Sequence, residues 1–99
     1  MRHEAATVHE LSRVAELGVL PGEALTRLAR EMERHELAPG EEVDAAGLYA
    51  VVLGGMLSGG GGVLRPGDRV AGSARALTPA AVATCAQARY ETIAAERAP

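Results

Sequence analysis

The chain has 99 residues, a formal net charge of −3 and one cysteine, Cys85. This length allows one small domain, which we expect to span residues 1–99, and an acidic balance argues against nucleic-acid binding, which requires a basic face. The sequence lacks a run of about eighteen apolar residues for a membrane span, and it lacks the apolar stretch of a signal peptide. One cysteine suits a reducing compartment. We therefore predict a cytoplasmic protein.

Apolar residues at helical spacing predict helices in the first third of the chain. Val8, Leu11 and Ala15 share one face of the first helix, which ends near Gly18. The second helix runs through "LPGEALTRLAREMERHEL". Its apolar positions recur at i, i+3, i+4 and i+7, and they are Leu25, Leu28, Ala29 and Met32. We therefore assign residues 1–37 to a helical part.

From Pro39 onward, Gly, Pro and Asp interrupt short apolar runs, which predicts strands and tight turns over residues 38–95. "LYAVVL" has the composition of a buried strand. The run Gly59–Gly62 predicts a hairpin turn. A phosphate-binding P-loop would continue with Gly-Lys-Ser/Thr, whereas Val63 follows here.

The last stretch, "TPAAVATCAQARYETIAAERAP", is ambiguous from its own residues. Thr78 as N-cap, Pro79 at the first helical position and the many alanines favour a helix. The better strand formers within it are Val82, Thr84, Tyr90, Thr92 and Ile93.

Four short motifs occur in a fixed order: "LTRLA", "APGEEV", "LYAVVLGG" and "LRPGD", followed by "VAT". The matching residues are Leu25, Leu28, Ala29, Ala38–Glu41, Val43, Leu48, Tyr49, Val51, Gly54, Leu64 and Pro66–Asp68. This order resembles the cyclic nucleotide-binding domain family, the β-roll regulatory domain of catabolite-activator-type proteins. The resemblance implies an α+β fold, with N-terminal helices packed on a shortened, jelly-roll-like antiparallel β-roll. It also implies a tight bend at Gly54, a turn at Pro66–Asp68, and strands rather than a helix in the last stretch.

The family's ligand site uses a Glu for the ribose 2′-hydroxyl, an Arg for the cyclic phosphate, and amides at a helix N-terminus. Counted from the PGD turn, the Glu position falls on Gly72, or on Ser73 with one insertion. Counted back from "VAT", the Arg position falls on Ala81. Arg75 is the cation that is left in the second half of this segment. The resemblance thus implies a degenerate site in which Gly72, Ser73 and Arg75 are the candidates for contacting an anion.

The sequence is also shorter than the resemblance implies at two places. Only "DAAG" separates Val43 from Leu48, where the family carries a longer hairpin. The sequence ends at Pro99, where the family continues into helices that cover the ligand and transmit the signal. We therefore expect neither a lid nor an output domain.

Other kinds of site have weaker support in the sequence. The related cupin enzymes bind metal through His and Glu on adjacent strands, but we place His3, His9 and His35 before the β region. Cys85 is predicted to be a buried thiol without an activating His, and no serine lies in a G-x-S-x-G motif.

Two charged groups are best interpreted as solvated surface. The acidic group consists of Glu41, Glu42 and Asp44, with a divalent-ion site as the remote alternative. The basic group consists of Arg27, Arg30 and Arg34, and acidic residues surround it on the predicted helix.

The predicted core is thin, because Phe and Trp are absent and Leu, Ile and Val make up only about a fifth of the chain. Alanine supplies much of the remaining apolar content and buries little area at ~25 cal/mol per Å². All basic residues are arginine, as in GC-rich genomes, and we expect a bacterial protein.

We therefore predict a non-catalytic structural or adaptor subunit that docks on a protein partner or on its own copies. We expect no cofactor, no metal and no bound cyclic nucleotide. The alternative is a sensor of cyclic nucleotide or another anion through Gly72, Ser73 and Arg75. A cupin-like enzyme, the third hypothesis, would require a bound metal.

Overall fold

The computed structural model describes residues 4–5, 10–11, 13–14, 17 and 20–95. Its elements, in chain order, are β1 (Glu4–Ala5), α1 (Gly22–Glu31), β2 (Glu33–Leu37), β3 (Glu42–Asp44), β4 (Leu48–Gly54), β5 (Leu57–Gly59), β6 (Gly62–Leu64), β7 (Ser73–Ala76), β8 (Ala80–Ala86) and α2 (Gln87–Ala95). The predicted α+β fold is confirmed. No helix among the described residues is long and apolar enough to cross a membrane.

The strands form two antiparallel four-stranded sheets. The first sheet has the order β1-β2-β8-β4, and the second has the order β3-β7-β5-β6. The buried residues between the two sheets, which we call the inner cluster, are Ala45, Ala50, Val52, Leu57, Val70, Ala74, Ala76, Ala80 and Val82. Because strand side chains alternate between faces, Tyr49 and Val51 of β4 point to the other side of the first sheet. There they join the helix-side cluster, which includes Leu28, Met32 and Ile93.

In the described part of the segment before α1, hydrogen bonds join residues that are three positions apart. The amides of Val14, Leu17 and Leu20 donate to the carbonyls of Leu11, Val14 and Leu17, at 3.0, 2.9 and 3.0 Å. These four side chains are all buried in the helix-side cluster. The predicted helix positions Val8, Ala15 and Gly18 lie outside the described residues.

The second predicted helix is shorter than expected. It buries Ala24, Leu25, Leu28 and Ala29 as predicted, but it ends at Glu31. Residues 33–37 form β2, which pairs with β8 over its whole length, so the assignment of residues up to 37 to the helical part was wrong. The pairing with β8 outweighs the local helical propensity of this segment, and Met32 is already extended, with a ψ of 137°.

The ambiguous last stretch divides into a strand and a helix. Residues 80–86 form the predicted strand, but residues 87–95 form α2, so the prediction of strands throughout was wrong in its second half. Ile93 of α2 is 3% exposed and joins the helix-side cluster. Burial against the helices therefore decides the structure that local propensity left open.

The tight turns predicted at the glycine run and at the PGD motif are present, and the bend predicted at Gly54 is a break in strand register. Gly60 and Gly61 connect β5 to β6 with φ values of 61° and 84°, as in a two-residue hairpin. At the PGD turn, the Asp68 amide donates to the Arg65 carbonyl at 2.9 Å, and Gly67 has a φ of 97°. The predicted bend at Gly54 is a break in the β4–β8 register between Val52 and Gly54.

Candidate functional site

Gly72, Ser73 and Arg75 lie at the start of β7 and are exposed. The Gly72 carbonyl accepts a hydrogen bond from the Ala45 amide at 2.8 Å. Arg75 pairs across the sheet with Glu42, and its Nη2 donates to a Glu42 carboxylate oxygen at 2.9 Å. The side chains on either side of Arg75 belong to the inner cluster, so the guanidinium of Arg75 lies on the outer face of the second sheet.

The segment between the PGD turn and β7 is extended rather than helical. Arg69 forms a single bridge with Val51, and the Val70 amide donates to the Ala50 carbonyl at 2.8 Å. No helix forms between residues 68 and 73. The helix N-terminal amides that the resemblance implies for a phosphate are therefore not formed in this segment.

The space between the two sheets is filled by the inner cluster. Its members are all apolar, most of them are alanine, and each is no more than 8% exposed. Val70 and Ala74 bring the segment next to the predicted site into the same cluster, with exposures of 2% and 3%. Two polar side chains share this face of the first sheet: Thr84, which pairs with Ala50, and His35, which pairs with Val82. Among the described residues, the interior of the roll is therefore mainly apolar, and its polar groups, His35 and Thr84, lie within hydrogen-bond distance of each other.

Ala80, rather than Ala81, is the position of β8 from which an arginine side chain would point between the sheets. Ala80 belongs to the inner cluster. Ala81 is the next residue of β8, is paired with Glu36 and Gly54, and lies outside that cluster. Because successive strand residues face opposite sides, an arginine directed between the sheets would stand at position 80. The sequence motif placed it one residue later.

His35 lies in β2, so its placement before the β region was wrong. Its Nε2 lies 3.0 Å from the hydroxyl oxygen of Thr84, which is buried. Among the described residues, no group of three or more His, Cys, Asp or Glu residues is arranged to hold a metal ion.

Arg34 also lies in β2 rather than on the helix face that we predicted. Its guanidinium donates to Glu36 at 2.6 Å and to Glu10 at 3.0 Å. The hydrogen bonds to Glu36 and then Glu10 raise the pKa of Arg34 further above its ordinary value. Arg34 therefore ties the segment before α1 to the first sheet.

The predicted acidic group interacts with its own loops. Glu41 accepts a hydrogen bond from the Ala38 amide at 2.6 Å, and Asp44 accepts one from the Ala46 amide at 3.0 Å. Glu42 holds Arg75, as described above. Each of these three carboxylates therefore accepts a hydrogen bond from another group of the protein.

Cys85 is buried, as predicted, with 7% of its surface exposed. Burial, and secondly the negative charge of Glu31, raise the pKa of the Cys85 thiol from 9.0 to about 11. The thiol is therefore protonated at neutral pH, and it lacks the thiolate character that a catalytic cysteine requires.

An aromatic stack with an arginine beside it is a feature that the sequence analysis missed. Tyr49 and Tyr90 are the only aromatic residues of the chain, and their ring centroids lie 3.7 Å apart with an interplanar angle of 3°. The guanidinium carbon of Arg69 lies 4.8 Å from the Tyr49 centroid and 5.8 Å from that of Tyr90. Arg69 also donates to the side chain of Gln87 at 2.9 Å. The one feature of the sequence that could have indicated this stack is that the chain has only two aromatic residues.

The comparisons with known proteins bear on the fold. No protein-family model and no curated protein matches the sequence. Among solved structures, the regulatory subunit of a cAMP-independent protein kinase A from Trypanosoma brucei matches with a TM-score of 0.72 and 16% identity, over 91% of this chain and 42% of that one. The N-terminal domain of a Streptomyces coelicolor transcriptional regulator matches with a TM-score of 0.64 and 18% identity, over 89% and 79%.

A cyclic nucleotide-binding-like protein from Brucella abortus matches with a TM-score of 0.58 and 20% identity, over 87% of this chain and 95% of that one. The chain spans 38% and 40% of the first two kinase regulatory-subunit structures that it matches. The chain therefore has the fold of a cyclic nucleotide-binding domain, which confirms the architecture implied by the sequence resemblance. The named structural relatives are regulatory or binding domains.

Proposed function

We propose that this protein is a non-catalytic structural or adaptor domain, in which the cyclic nucleotide-binding fold carries a degenerate ligand site. The observation that carries the proposal is the apolar inner cluster, which occupies the space between the sheets. A cyclic phosphate placed there would lose its hydration without gaining a cation, and an unpaired buried charge is strongly unfavourable. Truncating one partner of a buried charge pair costs about 2–5 kcal/mol, which would weaken a micromolar Kd to between about 30 μM and several millimolar.

Two structural relatives support the idea that nucleotide selectivity changes readily on this fold. The Trypanosoma cruzi regulatory subunit belongs to a cAMP-independent kinase and is bound to guanosine. A Trypanosoma brucei variant with three substitutions, one of which replaces a threonine by arginine, is bound to cAMP.

Exposed apolar side chains support the docking role. Met56 is 38% exposed and Leu77 is 47% exposed. They are neighbours, because the Leu77 amide donates to the Met56 carbonyl at 2.9 Å. Val63, on the edge strand β6, is 48% exposed. Exposed apolar side chains of this size are suited to contact a protein partner or a second copy.

Calorimetric titration with cyclic AMP, cyclic GMP and a cyclic dinucleotide tests the proposal. We expect no binding heat up to millimolar ligand. Micromolar binding would contradict the degenerate site, and the Arg75→Ala variant then shows which alternative applies. Loss of binding in that variant would support the anion sensor built on Gly72, Ser73 and Arg75. Unchanged binding would point to another surface.

A further inference from the structure

The two helices leave a cleft of about 200 Å³ between them, on the opposite side of the first sheet from the roll interior. Its lining residues are Arg27, Arg30 and Glu31 from α1 and Arg89, Thr92 and Ile93 from α2. Each set has the spacing i, i+3, i+4, so each forms one face of its helix. We propose that this cleft is a binding site for the phosphate group of a small molecule or for inorganic phosphate.

The charge of the lining favours a dianion. Three guanidinium groups and one carboxylate line the cleft, a formal sum of two positive charges in which Arg27 also interacts with another group of the protein, on a protein whose formal net charge is −3. Phosphate and its monoesters carry a charge between about −1.5 and −2 at neutral pH. The local charge and the charge of the ligand are therefore complementary.

The cleft also holds donors that the protein does not use. The Nε of Arg89 donates to Glu31 at 2.7 Å, which fixes this guanidinium at the wall of the cleft. The guanidinium of Arg30 has no hydrogen bond or ion pair with any described residue, and only the Nε of Arg89 is seen in a hydrogen bond. Arginine donors arranged in a planar fork match the oxygens of phosphate, often by two parallel hydrogen bonds.

The position of Arg89 on its helix supports the same inference. Arg89 is the third residue of α2. A cation in the first turn meets the positive end of the helix dipole, which is unfavourable. Glu31 compensates the charge of Arg89, and a bound anion would further offset the unfavourable position of this cation at the helix N-terminus. Arg30 lies in the last turn of α1, where the helix dipole already favours a cation. The unfavourable dipole interaction therefore concerns Arg89 alone of these two residues.

The size of the cleft limits the ligand class. Pockets for drug-sized ligands measure about 300–1,000 Å³, so this cleft accommodates a phosphate group but not a whole nucleotide. Ile93 is 3% exposed and provides an apolar wall, whereas the charged residues of the lining are exposed to solvent. A wider, more open surface continues along α1 past Arg27 and Arg30, and it is lined there also by Gly22, Glu23 and Thr26. This surface leaves room for the rest of a phosphorylated molecule.

The test is an NMR titration of the ¹⁵N-labelled protein with sodium phosphate at pH 7.5, with sodium chloride replaced so that the ionic strength stays constant. We expect saturable amide shifts confined to residues 27–31 and 89–93. Arg30→Ala and Arg89→Ala should each weaken the binding about tenfold, the scale of one lost charge-assisted contact. A parallel titration with glycerol phosphate separates free phosphate from a phosphate ester as the preferred ligand.

The matched control is Arg65→Ala, which removes one positive charge from an exposed turn on another part of the surface. It should leave the affinity unchanged, and thermal unfolding should show that all three variants remain folded. Shifts that do not saturate, or an equal loss of affinity in Arg65→Ala and Arg30→Ala, would overturn the proposal. Because this site shares no residue with the roll interior, its failure leaves the adaptor proposal unaffected.

Discussion

Gly55 is the residue at which both conformation and space exclude a side chain. Its φ is 76°, and a Cβ built on it would lie 2.3 Å from the Pro79 carbonyl oxygen and 2.7 Å from the Ala80 Cα. Both contacts are with backbone, which cannot move without shifting the start of β8. We therefore expect Gly55→Ala to lower the free energy of unfolding by about 3 kcal/mol or more, measured by urea denaturation.

Gly40→Ala is the matched control for this prediction. Gly40 also has a positive φ, 90°, but a Cβ there would meet no atom within 4 Å. It should report the conformational strain alone, about 1–2 kcal/mol. Equal losses in the two variants would show that the approach of β8 to Gly55 has no energetic role. The sequence predicted the bend at Gly54, where the register of β4 with β8 breaks, but nothing in the composition indicated that Gly55 is the residue with a positive φ.

At the scale of elements, α2 is held to the first sheet by the Tyr49–Tyr90 stack and by Arg69. Tyr49 is fully buried in β4, whereas Tyr90 is partly buried on α2. Replacing Tyr90 by Ala removes the ring and its stacking, so we expect a loss of about 2 kcal/mol. Hydrogen exchange of the α2 amides should accelerate in this variant.

Tyr90→Phe separates the ring from the hydroxyl. It keeps the stack with Tyr49 and the position beside Arg69, so it should retain most of the stability and the slow exchange of α2. If Phe and Ala at position 90 were equally destabilising, the stack would not be the contact that holds α2.

The sequence predicted the elements whose signal is local. The apolar spacing of α1, the composition of β4 and the glycines of the β5–β6 turn each lie within a few residues. In contrast, β2 exists because residues 33–37 pair with β8, far away in the chain. The helix α2 depends on contacts of Ile93 and Tyr90 with other elements. Such long-range contacts override local propensity, and no pattern within either segment reveals them.

At the scale of the whole molecule, the first sheet is shared by two apolar layers. Val51 belongs to the helix-side cluster, and its neighbour Val52 belongs to the inner cluster. Both are fully buried. Because one sheet supports both layers, we expect Val51→Ala and Val52→Ala each to cost about 2 kcal/mol and to leave a single cooperative transition. Circular dichroism and hydrogen exchange, monitored together during denaturation, check this.

Val63→Ala is the comparison for these two variants, because Val63 is 48% exposed on an edge strand. It should change stability by no more than about 0.5 kcal/mol. If Val52→Ala released the roll while the helix amides stayed protected, the two layers would be independent units.

The candidate sites differ in how much of them could be predicted from the sequence. Counting along the family motifs predicted that the phosphate-binding Arg has no counterpart, but it placed that position at Ala81, whereas Ala80 is the residue that faces the inner cluster. The outward direction of Arg75 follows from its register with Glu42, which depends on the fold of the second sheet. The cleft between the helices could not be anticipated, because one of its walls is a helix that the sequence analysis rejected.

The strand order has a consequence for synthesis of the chain. In the first sheet, β8 lies between β2 and β4, although it is the last strand to leave the ribosome. Until residue 86 has emerged, β2 and β4 have no common neighbour, and the backbone edge of β4 that pairs with β8 stays open. The local β5–β6 hairpin can form earlier, since non-local pairing is intrinsically slower. A nascent chain that stalls before β8 therefore presents two unpaired strand edges, which are templates for pairing with another chain.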